Sequence, residues 1–134
     1  MSTTDLTEQG TRPALERLLA GVVAHLPEAV AVVAARDGTI VYTNTAWNQL
    51  FGYSGSEAVG QHLSSVNAPS EERFPGERIR TIAAALADRG VWNGRVEGLR
   101  RDGLRFWCSE TISQFDHESL GTVWVMLYVE LRAR

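Results

Sequence analysis

The sequence predicts an α+β fold in which helices cover one face of a single sheet. Two short extended segments flank the turn Arg36-Asp37-Gly38, which is a hairpin signal. Longer extended segments fill the last third of the chain, between Val91 and Leu131. The stretch between these two blocks carries helical periodicity and helix-ending glycines. Two strand blocks separated by a helical insert are typical of a small sheet with helices packed on one side.

Composition and charge exclude several classes of protein. A chain of 134 residues that is 44% hydrophobic is long enough for one domain with a modest core. Its formal net charge of -3 is too mild for an electrostatic nucleic-acid binder. The longest apolar run, Ala29 to Ala35, is too short to cross a bilayer, and Met1 to Gly10 lacks the positive charge of a secretory signal. We therefore expect a cytoplasmic protein without nucleic-acid partners or membrane insertion.

The chain divides into three parts by its patterning. Residues 1–10 are polar and are expected to form a flexible N-terminal lead. Residues 11–26 are expected to form an amphipathic helix, because Thr11 can cap it and Pro13 is tolerated in its first turn. The helix carries one apolar stripe, formed by Leu15, Leu18, Leu19, Val22, Val23 and Leu26. The stripe covers the core of its own domain, residues 27–134, or seals a homodimer, and both can hold.

Capping residues and glycines place the elements of the main domain. The hairpin joins Val30–Ala34 to Thr39–Thr43, with Gly38 free to take a positive φ. A short helix, Thr45–Phe51, can end at Gly52. A further helical turn starts at Ser54 or Ser56 and ends at Gly60, and residues 63–70 are irregular or form one helical turn.

A second long helix and three long strands complete the expected elements. The helix Glu77–Arg89 stops at Gly90, and its predicted apolar face comprises Ile79, Ile82, Ala83 and Leu86. The strands are Val91–Leu99, Leu104–Phe115 and Thr122–Leu131, with a loop from Asp116 to Gly121 before the last. The last strand is nearly all apolar, which indicates burial on both faces or a subunit contact.

In this order of elements, the chain resembles a PAS domain of the S-box type over residues 27–131. No single matching segment is specific, but their order and spacing together are. The matching segments are Arg36-Asp37-Gly38, Tyr42-Thr43-Asn44, Leu50-Phe51-Gly52-Tyr53, Gly60, Asn67-Ala68-Pro69, Gly90-Val91-Trp92-Asn93-Gly94, Arg101-Asp102-Gly103-Leu104-Arg105-Phe106-Trp107-Cys108 and Gly121-Thr122-Val123-Trp124. Where many relatives end in an Asp-Ile-Thr segment, this chain has Glu130-Leu131-Arg132.

The resemblance implies a five-stranded antiparallel sheet in the order 2-1-5-4-3, with helices on one face. It also implies a sensory or protein-interaction role in signal transduction, with a signalling output domain or a partner protein downstream. Bacterial domains of this kind usually precede histidine kinase or cyclic-dinucleotide enzyme modules. The resemblance does not imply one particular ligand, and the cofactor is left unknown.

Aligning the strands with the family predicts a pocket between the helix Glu77–Arg89 and the inner face of the sheet. Gly94 and Gly98 on that face would leave volume for a ligand, unless Trp92 or Trp124 fills it. The predicted pocket comprises Asn44, Ile79, Ile82, Leu86, Trp92, Gly94, Gly98, Cys108, Glu110, Trp124, Met126 and Tyr128. Val96, Phe106 and Ile112 would also point inward.

The most specific expectation for the predicted pocket is that Glu110 points into it. A carboxylate that points inward needs a partner, because an unpaired buried charge costs several kcal/mol or raises its pKa. Tyr128, Asn44 or an incoming ligand could supply that hydrogen bond. Alternatively, a one-residue register slip or a bulge would send Glu110 to solvent.

The outer face of the sheet is expected to carry an interface. Its predicted members are Arg95, Glu97, Trp107, Ser109, Thr111, Val123, Val125 and Val129, of which Trp107, Val125 and Val129 make an apolar patch. We expect Leu15, Leu18, Leu19 and Val22 of the N-terminal helix to cover this patch, from the same chain or from the second copy of a homodimer.

Specific cofactor chemistry finds little support in the residues. Light-sensing relatives carry a reactive cysteine in an Asn-Cys-Arg-Phe motif, whereas residues 65–73 contain no cysteine and the one cysteine, Cys108, lies on a strand. A cysteinyl-flavin photoadduct is therefore not expected, and Cys108 is expected to be a small core residue. Haem needs an axial ligand, and neither His25 nor His117 fits, which leaves only His62 in view.

Enzyme and metal sites are not expected either. The sequence has no Cys-x-x-Cys, no His-x-x-x-His, no phosphate-binding glycine loop and no Gly-x-Ser-x-Gly frame. We therefore expect a non-enzymatic sensory module that binds a small ligand or a partner and relays the change through its sheet face. The alternatives are an interaction and dimerisation module with a filled core and, less favoured, a flavin- or haem-binding redox sensor.

Overall fold

The computed structural model describes residues 12–68 and 77–132, and the predicted lead 1–10 and the cap Thr11 lie outside this range. Within these two ranges, three helices and five strands follow one another. They are α1 (Arg12–His25), β1 (Ala29–Ala34), β2 (Ile40–Thr43), α2 (Thr45–Phe51), α3 (Glu77–Arg89), β3 (Val91–Leu99), β4 (Arg105–His117) and β5 (Gly121–Glu130), with a 3₁₀ helix at Leu63–Val66 between α2 and α3.

The five strands form one antiparallel sheet in the order β2-β1-β5-β4-β3, as the resemblance implies. The hairpin between β1 and β2 closes as predicted, with Gly38 at a φ of 74°. β4 continues two residues further than expected, to His117, and β5 begins one residue earlier, at Gly121, because the predicted loop at 116–121 is a tight turn. In that turn His117 Nδ1 accepts hydrogen bonds from the backbone N–H groups of Ser119 and Leu120.

The helices α2 and α3 have the predicted bounds, and Gly52 ends α2 in the left-handed conformation. The expected helical turn at residues 54–60 is instead a series of separate turns. Isolated backbone hydrogen bonds join Ser54 to Glu57 and Ser56 to Val59. No continuous helix forms there, because Gly55 and Gly60 both adopt positive φ.

The apolar face of α3 differs from the predicted one. Ile82, Ala85 and Leu86 are buried against β3 and β4, whereas Ile79 and Ala83 are exposed. The buried set follows the three- and four-residue spacing of one helix stripe, and Ala83 lies about 100° away from Ile82 around the axis.

The insert between α2 and α3 touches both edge strands of the sheet. On the β2 side, Ile40 N–H donates to the carbonyl of Gln61 at 2.9 Å, and Thr39 forms a β-bridge with His62. On the β3 side, Ala68 N–H donates to the carbonyl of Glu97 at 3.0 Å, and Asn67 forms a bridge with Gly98. The insert therefore spans the inner face from one edge to the other.

The N-terminal helix α1 does not cover the sheet within one chain. It packs mainly against α2, and Asn44 Nδ2 donates to the Val23 carbonyl at 3.0 Å. The side chains of its predicted apolar stripe remain about half exposed at Leu15, Leu18, Leu19 and Val22. Among the described residues, no helix combines the length and the apolarity needed to span a membrane.

Candidate functional site

The inner face of the sheet has two ends that are filled differently. An aromatic cluster fills the first end, and its members are Trp47, Phe51, Phe106 and Tyr128. Phe51 stacks on Trp47 with ring centroids 4.3 Å apart. It meets Phe106 and Tyr128 edge-on, at 5.1 and 5.2 Å. Phe51 and Trp47 are fully buried, so this end of the face is closed by the chain's own side chains.

The glycines of β3 mark close packing and not an open volume. A Cβ atom built on Gly98 would lie 2.7 Å from the Phe106 ring and 3.2 Å from Phe51. One built on Gly94 would lie 2.6 Å from the Trp92 ring. The expectation of a ligand beside both glycines is therefore wrong. Trp92 fills the space at Gly94, in agreement with the alternative that a tryptophan occupies this volume. At Gly98 the space is filled by Phe106 and not by Trp124.

Asn44 has a structural role and does not belong to a pocket. Its Oδ1 accepts hydrogen bonds from the backbone N–H groups of Val30 and Trp47, both at 2.9 Å. Its Nδ2 donates to the carbonyls of Val23 and Glu28. The side chain caps α2 and joins α1, β1 and α2, so it has no capacity left for Glu110 or for a ligand.

Cys108 is a core residue, as expected. It is fully buried, and its Sγ lies 3.6 Å from the carbonyl oxygen of Val96. Burial, reinforced by the nearby carboxyls of Glu110 and Glu130, raises the pKa of the Cys108 thiol to about 12. A thiol in this state is a poor nucleophile at neutral pH, so it does not fit the thiol chemistry of a flavin photoadduct.

The second end of the inner face holds a cavity of about 560 Å³. It lies between the β1–β2 turn, the 3₁₀ helix, the first half of α3 and the adjacent parts of β4 and β5. Five of the predicted pocket residues line it: Ile79, Ile82, Glu110, Trp124 and Met126. The other seven predicted residues, Asn44, Leu86, Trp92, Gly94, Gly98, Cys108 and Tyr128, are not among its lining residues.

Glu110 points inward, so the expected register holds and no slip or bulge sends it to solvent. The residue is 3% exposed, and within residues 12–68 and 77–132 its Oε2 atom has no hydrogen-bond partner. Burial raises the pKa of the Glu110 carboxyl, which hydrogen bonding to the cross-strand neighbour Tyr128 and the charge of Arg78 partly offset. The cavity therefore contains one buried carboxyl, of which one oxygen, Oε2, is without a hydrogen-bond partner among the described residues.

The rim of the cavity carries residues that the sequence did not single out as pocket residues. They include Leu63, Ser64, Asn67 and Arg78, together with Arg36-Asp37-Gly38 of the hairpin turn. His62, the histidine kept in view for haem, also lies there. Its Nδ1 accepts a hydrogen bond from Ser64 N–H at 3.1 Å, while its ring packs on Gly38. Both features give His62 a structural role in the 3₁₀ helix.

The outer face of the sheet carries an apolar patch larger than predicted. Trp107 and Val129 are about half exposed there, as are Phe115 and Leu127, which were not predicted. Strand alternation alone places Leu127 between Val125 and Val129 on this face. Of the other predicted residues, Val125 is only partly exposed, and Val123 is 1% exposed and is not available to a partner. These four exposed side chains form the outer patch: Trp107, Phe115, Leu127 and Val129.

Metal binding has no visible basis in the described parts of the chain, residues 12–68 and 77–132. No group of three or more His, Cys, Asp or Glu side chains is arranged there to hold an ion.

Known proteins that resemble this chain include PAS domains. A family model for the PAS domain matches residues 27–130. The crystal structure of a PAS domain from Colwellia psychrerythraea has a TM-score of 0.75 and 21% identity, covering 90% of this chain and 99% of that one. An RNA-binding light-oxygen-voltage receptor has a TM-score of 0.70 and 24% identity, covering 88% of this chain and 33% of that one.

A blue-light photoreceptor of Listeria monocytogenes serovar 1/2a is 26% identical over 87 residues, which are 63% of this chain and 33% of that protein. The chain thus spans about a third of the curated relative that it matches. The structural matches under 25% identity support the fold alone, whereas the family match covers most of the sequence and all five strands. This chain belongs to the PAS domain family, a family of sensory signalling modules.

Proposed function

We propose that this PAS domain is a non-enzymatic sensor that binds a small ligand in the cavity beside Glu110 and relays binding through the sheet. The observation that carries the proposal is the buried carboxyl of Glu110, which lines the cavity and whose Oε2 atom has no partner in the part of the chain that the structure describes. Buried polar groups in folded proteins are nearly always hydrogen-bonded, so a group left without a partner favours an external one.

The alternative of a wholly filled core is less well supported. The aromatic cluster fills one end of the inner face, but the other end retains about 560 Å³. Small-molecule sites are commonly clefts of about 300–1,000 Å³ lined by apolar side chains with a few polar groups. The combination of Ile82, Trp124 and Met126 with a single buried carboxyl has this character.

A relay to the outer face follows from the strand geometry. Along β5, Trp124 and Met126 face the cavity, while Leu127 and Val129 face outward. A ligand that favours one position of β4 and β5 over another would therefore change the outer patch, by differential affinity for two packings.

We further propose that the outer patch and α1 form a homodimer interface. Both surfaces are apolar and about half exposed in the single chain. The dimer would pass the signal to an output domain or a partner protein.

The dimer is tested by replacing Leu18 and Leu19 with glutamate, both of which lie on the exposed stripe of α1. The double variant should run as a monomer in light scattering. Ala20→Glu, an exposed position beside the stripe, serves as the matched control and should remain dimeric. A double variant that remains dimeric would place the interface elsewhere.

Ligand binding is tested by native mass spectrometry of the purified protein and by a fragment screen with protein-detected NMR. A bound compound, or fragments that shift the Trp124 indole resonance, is the expected result. Ile79→Trp should block them, because Ile79 lies in the cavity wall and is 54% exposed, so the change does not disturb the core. The absence of any bound compound and of any fragment contact would favour the filled-core interaction module.

Light sensing is the second candidate, because two of the similar proteins are described as a blue-light photoreceptor and a light-oxygen-voltage receptor. The state of Cys108 argues against a thiol adduct as the photochemical step. Visible absorption by the purified protein would favour a bound chromophore, and a spectrum without it would favour a colourless ligand.

A further inference from the structure

We propose that the ligand of this cavity donates a hydrogen bond from an uncharged N–H or O–H group to the carboxyl of Glu110, while its apolar body lies against Ile82, Trp124 and Met126. This inference rests on the proposed ligand-binding function and names the chemical class of ligand that the site would take.

The Oε2 atom of Glu110 is a buried polar atom in the wall of the cavity. It has no hydrogen-bond partner among residues 12–68 and 77–132, although the residue is only 3% exposed and lines the cavity. The last torsion of a glutamate side chain is broad and roughly two-fold, so rotation about it exchanges the positions of the two carboxyl oxygens. A ligand in the cavity can therefore meet an oxygen that the described residues leave without a partner.

The side chains expected to serve Glu110 direct their donors elsewhere. Tyr128, across the strand, lies close enough to influence the carboxyl, but its hydroxyl donates to the Sδ atom of Met126 at 3.7 Å. Cys108, two residues away on β4, directs its thiol to a backbone carbonyl. Asn44, the other expected partner, uses its amide N–H groups on two backbone carbonyls. A donor for Oε2 is therefore best supplied from outside the chain.

A donor on the ligand suits the carboxyl in either protonation state. A carboxylate has only acceptor sites, and a protonated carboxyl keeps a carbonyl oxygen that accepts a hydrogen bond. A ligand that only accepts hydrogen bonds, whether neutral or anionic, would find a complement in the protonated form alone. The donor class therefore does not depend on where Glu110 titrates.

The rest of the lining favours a donor without a positive charge. The apolar wall of the cavity is formed by Val33, Leu63, Ile82, Trp124 and Met126. Besides Glu110, the lining includes two guanidinium groups, of Arg36 and Arg78, and one further carboxylate, that of Asp37. An ammonium group would lose its hydration against the apolar wall and would meet more positive than negative charge around it.

The test uses three aromatic probes of similar size that differ in their hydrogen-bonding group. Skatole has an N–H donor, its isomer N-methylindole has none, and quinoline has only an acceptor. Dissociation constants come from NMR titration of the full, isotopically labelled chain, followed at the Trp124 indole N–H. Skatole should bind roughly tenfold more tightly than the other two, as expected for one hydrogen bond to a buried group.

Variants at Glu110 separate the hydrogen bond from the shape of the probe. Glu110→Leu removes the acceptor without burying a new polar group, so the preference for skatole over N-methylindole should vanish even if both affinities change. Glu110→Gln keeps a carbonyl acceptor at about the same size and should keep the preference. Glu118→Gln, in the exposed turn after β4, is the matched control for the loss of one carboxyl and should leave the ratio of affinities unchanged.

Equal binding of skatole and N-methylindole would overturn this inference while supporting the proposed function, since ligands would still occupy the cavity. Tightest binding of quinoline would have the same meaning. A preference for skatole that survives in Glu110→Leu would also overturn the inference, because the donor would then meet another group. A lack of binding by all three probes at millimolar concentration would overturn it as well, and the fragment screen with Ile79→Trp then decides separately whether the cavity binds any ligand.

Discussion

The two ends of the inner sheet face differ in how they are filled, although one strand serves both. At the aromatic end, Phe51 meets both Phe106 and Tyr128 of β5, and no space for a ligand remains beside Gly98. At the cavity end, Trp124 of the same strand borders an open volume beside Glu110. The first end is closed by packed rings, and the second keeps an open volume beside a buried carboxyl.

This difference shows how a small PAS sheet can be both stable and responsive. The aromatic cluster joins α2, β4 and β5 by ring contacts, so this end is held rigidly. The cavity end keeps a volume of about 560 Å³ and is the end at which a ligand could add packing.

The largest effect is expected from Phe51→Ala, which removes the centre of the aromatic cluster. The variant should lose about 3–5 kcal/mol of unfolding free energy, because a buried phenyl ring is replaced by a void. Urea denaturation measures the loss. Ile79→Ala at the half-exposed cavity wall is the matched comparison and should lose less than about 1 kcal/mol. Equal losses would show that the two ends are equally packed.

A smaller effect is expected from alanine at the two glycines of β3. Gly98→Ala forces a methyl group against Phe106 and Phe51, both buried, and should lose about 1–3 kcal/mol by overpacking. Gly94→Ala meets only Trp92, which is partly exposed and can rotate away, so its loss should be smaller. Thermal denaturation compares the two variants. A larger loss for Gly94→Ala would contradict the assignment of close packing to the aromatic end.

The smallest effect is expected from Glu110, whose titration should make the free energy of unfolding depend gradually on pH. Because its folded pKa is raised above the ordinary value of 4.5, its contribution to stability is fully present below that value and is lost as pH rises through the folded pKa. The slope is at most about 1.4 kcal/mol per pH unit for one proton. Urea midpoints should fall with pH in the natural chain and less in Glu110→Gln.

The pH dependence of the urea midpoints can be assigned to Glu110 only if its titratable neighbours do not change charge over the same range. Tyr128 and Cys108 have raised pKa values and stay neutral over this range. An identical pH profile in Glu110→Gln would assign the dependence to another group.

Most of the fold was predictable, because local rules and tertiary packing agree. The glycines after α2 and α3 end those helices where expected, and period-2 alternation placed Phe106, Glu110 and Met126 on the inner face. The exceptions, such as the separate turns at 54–60, occur where two glycines outweigh a helical pattern.

The site was only partly predictable, for a physical reason. Alternation indicates which residues point inward, but not which of them another side chain will cover. Phe106 lies over its cross-strand neighbour Gly98, and this contact depends on a rotamer that strand spacing does not determine. His62 and Asn67 belong to an irregular segment whose path across the sheet has no periodic signal.

The insert that bridges β2 and β3 also constrains how copies of this chain can meet. Unpaired strand edges invite another chain to add to the sheet and seed aggregates. Here the insert already occupies hydrogen-bonding positions on both outermost strands, at Ile40 and at Glu97. Lateral growth from one molecule to the next is therefore blocked at these points, which leaves flat stacking as the more accessible geometry for self-association.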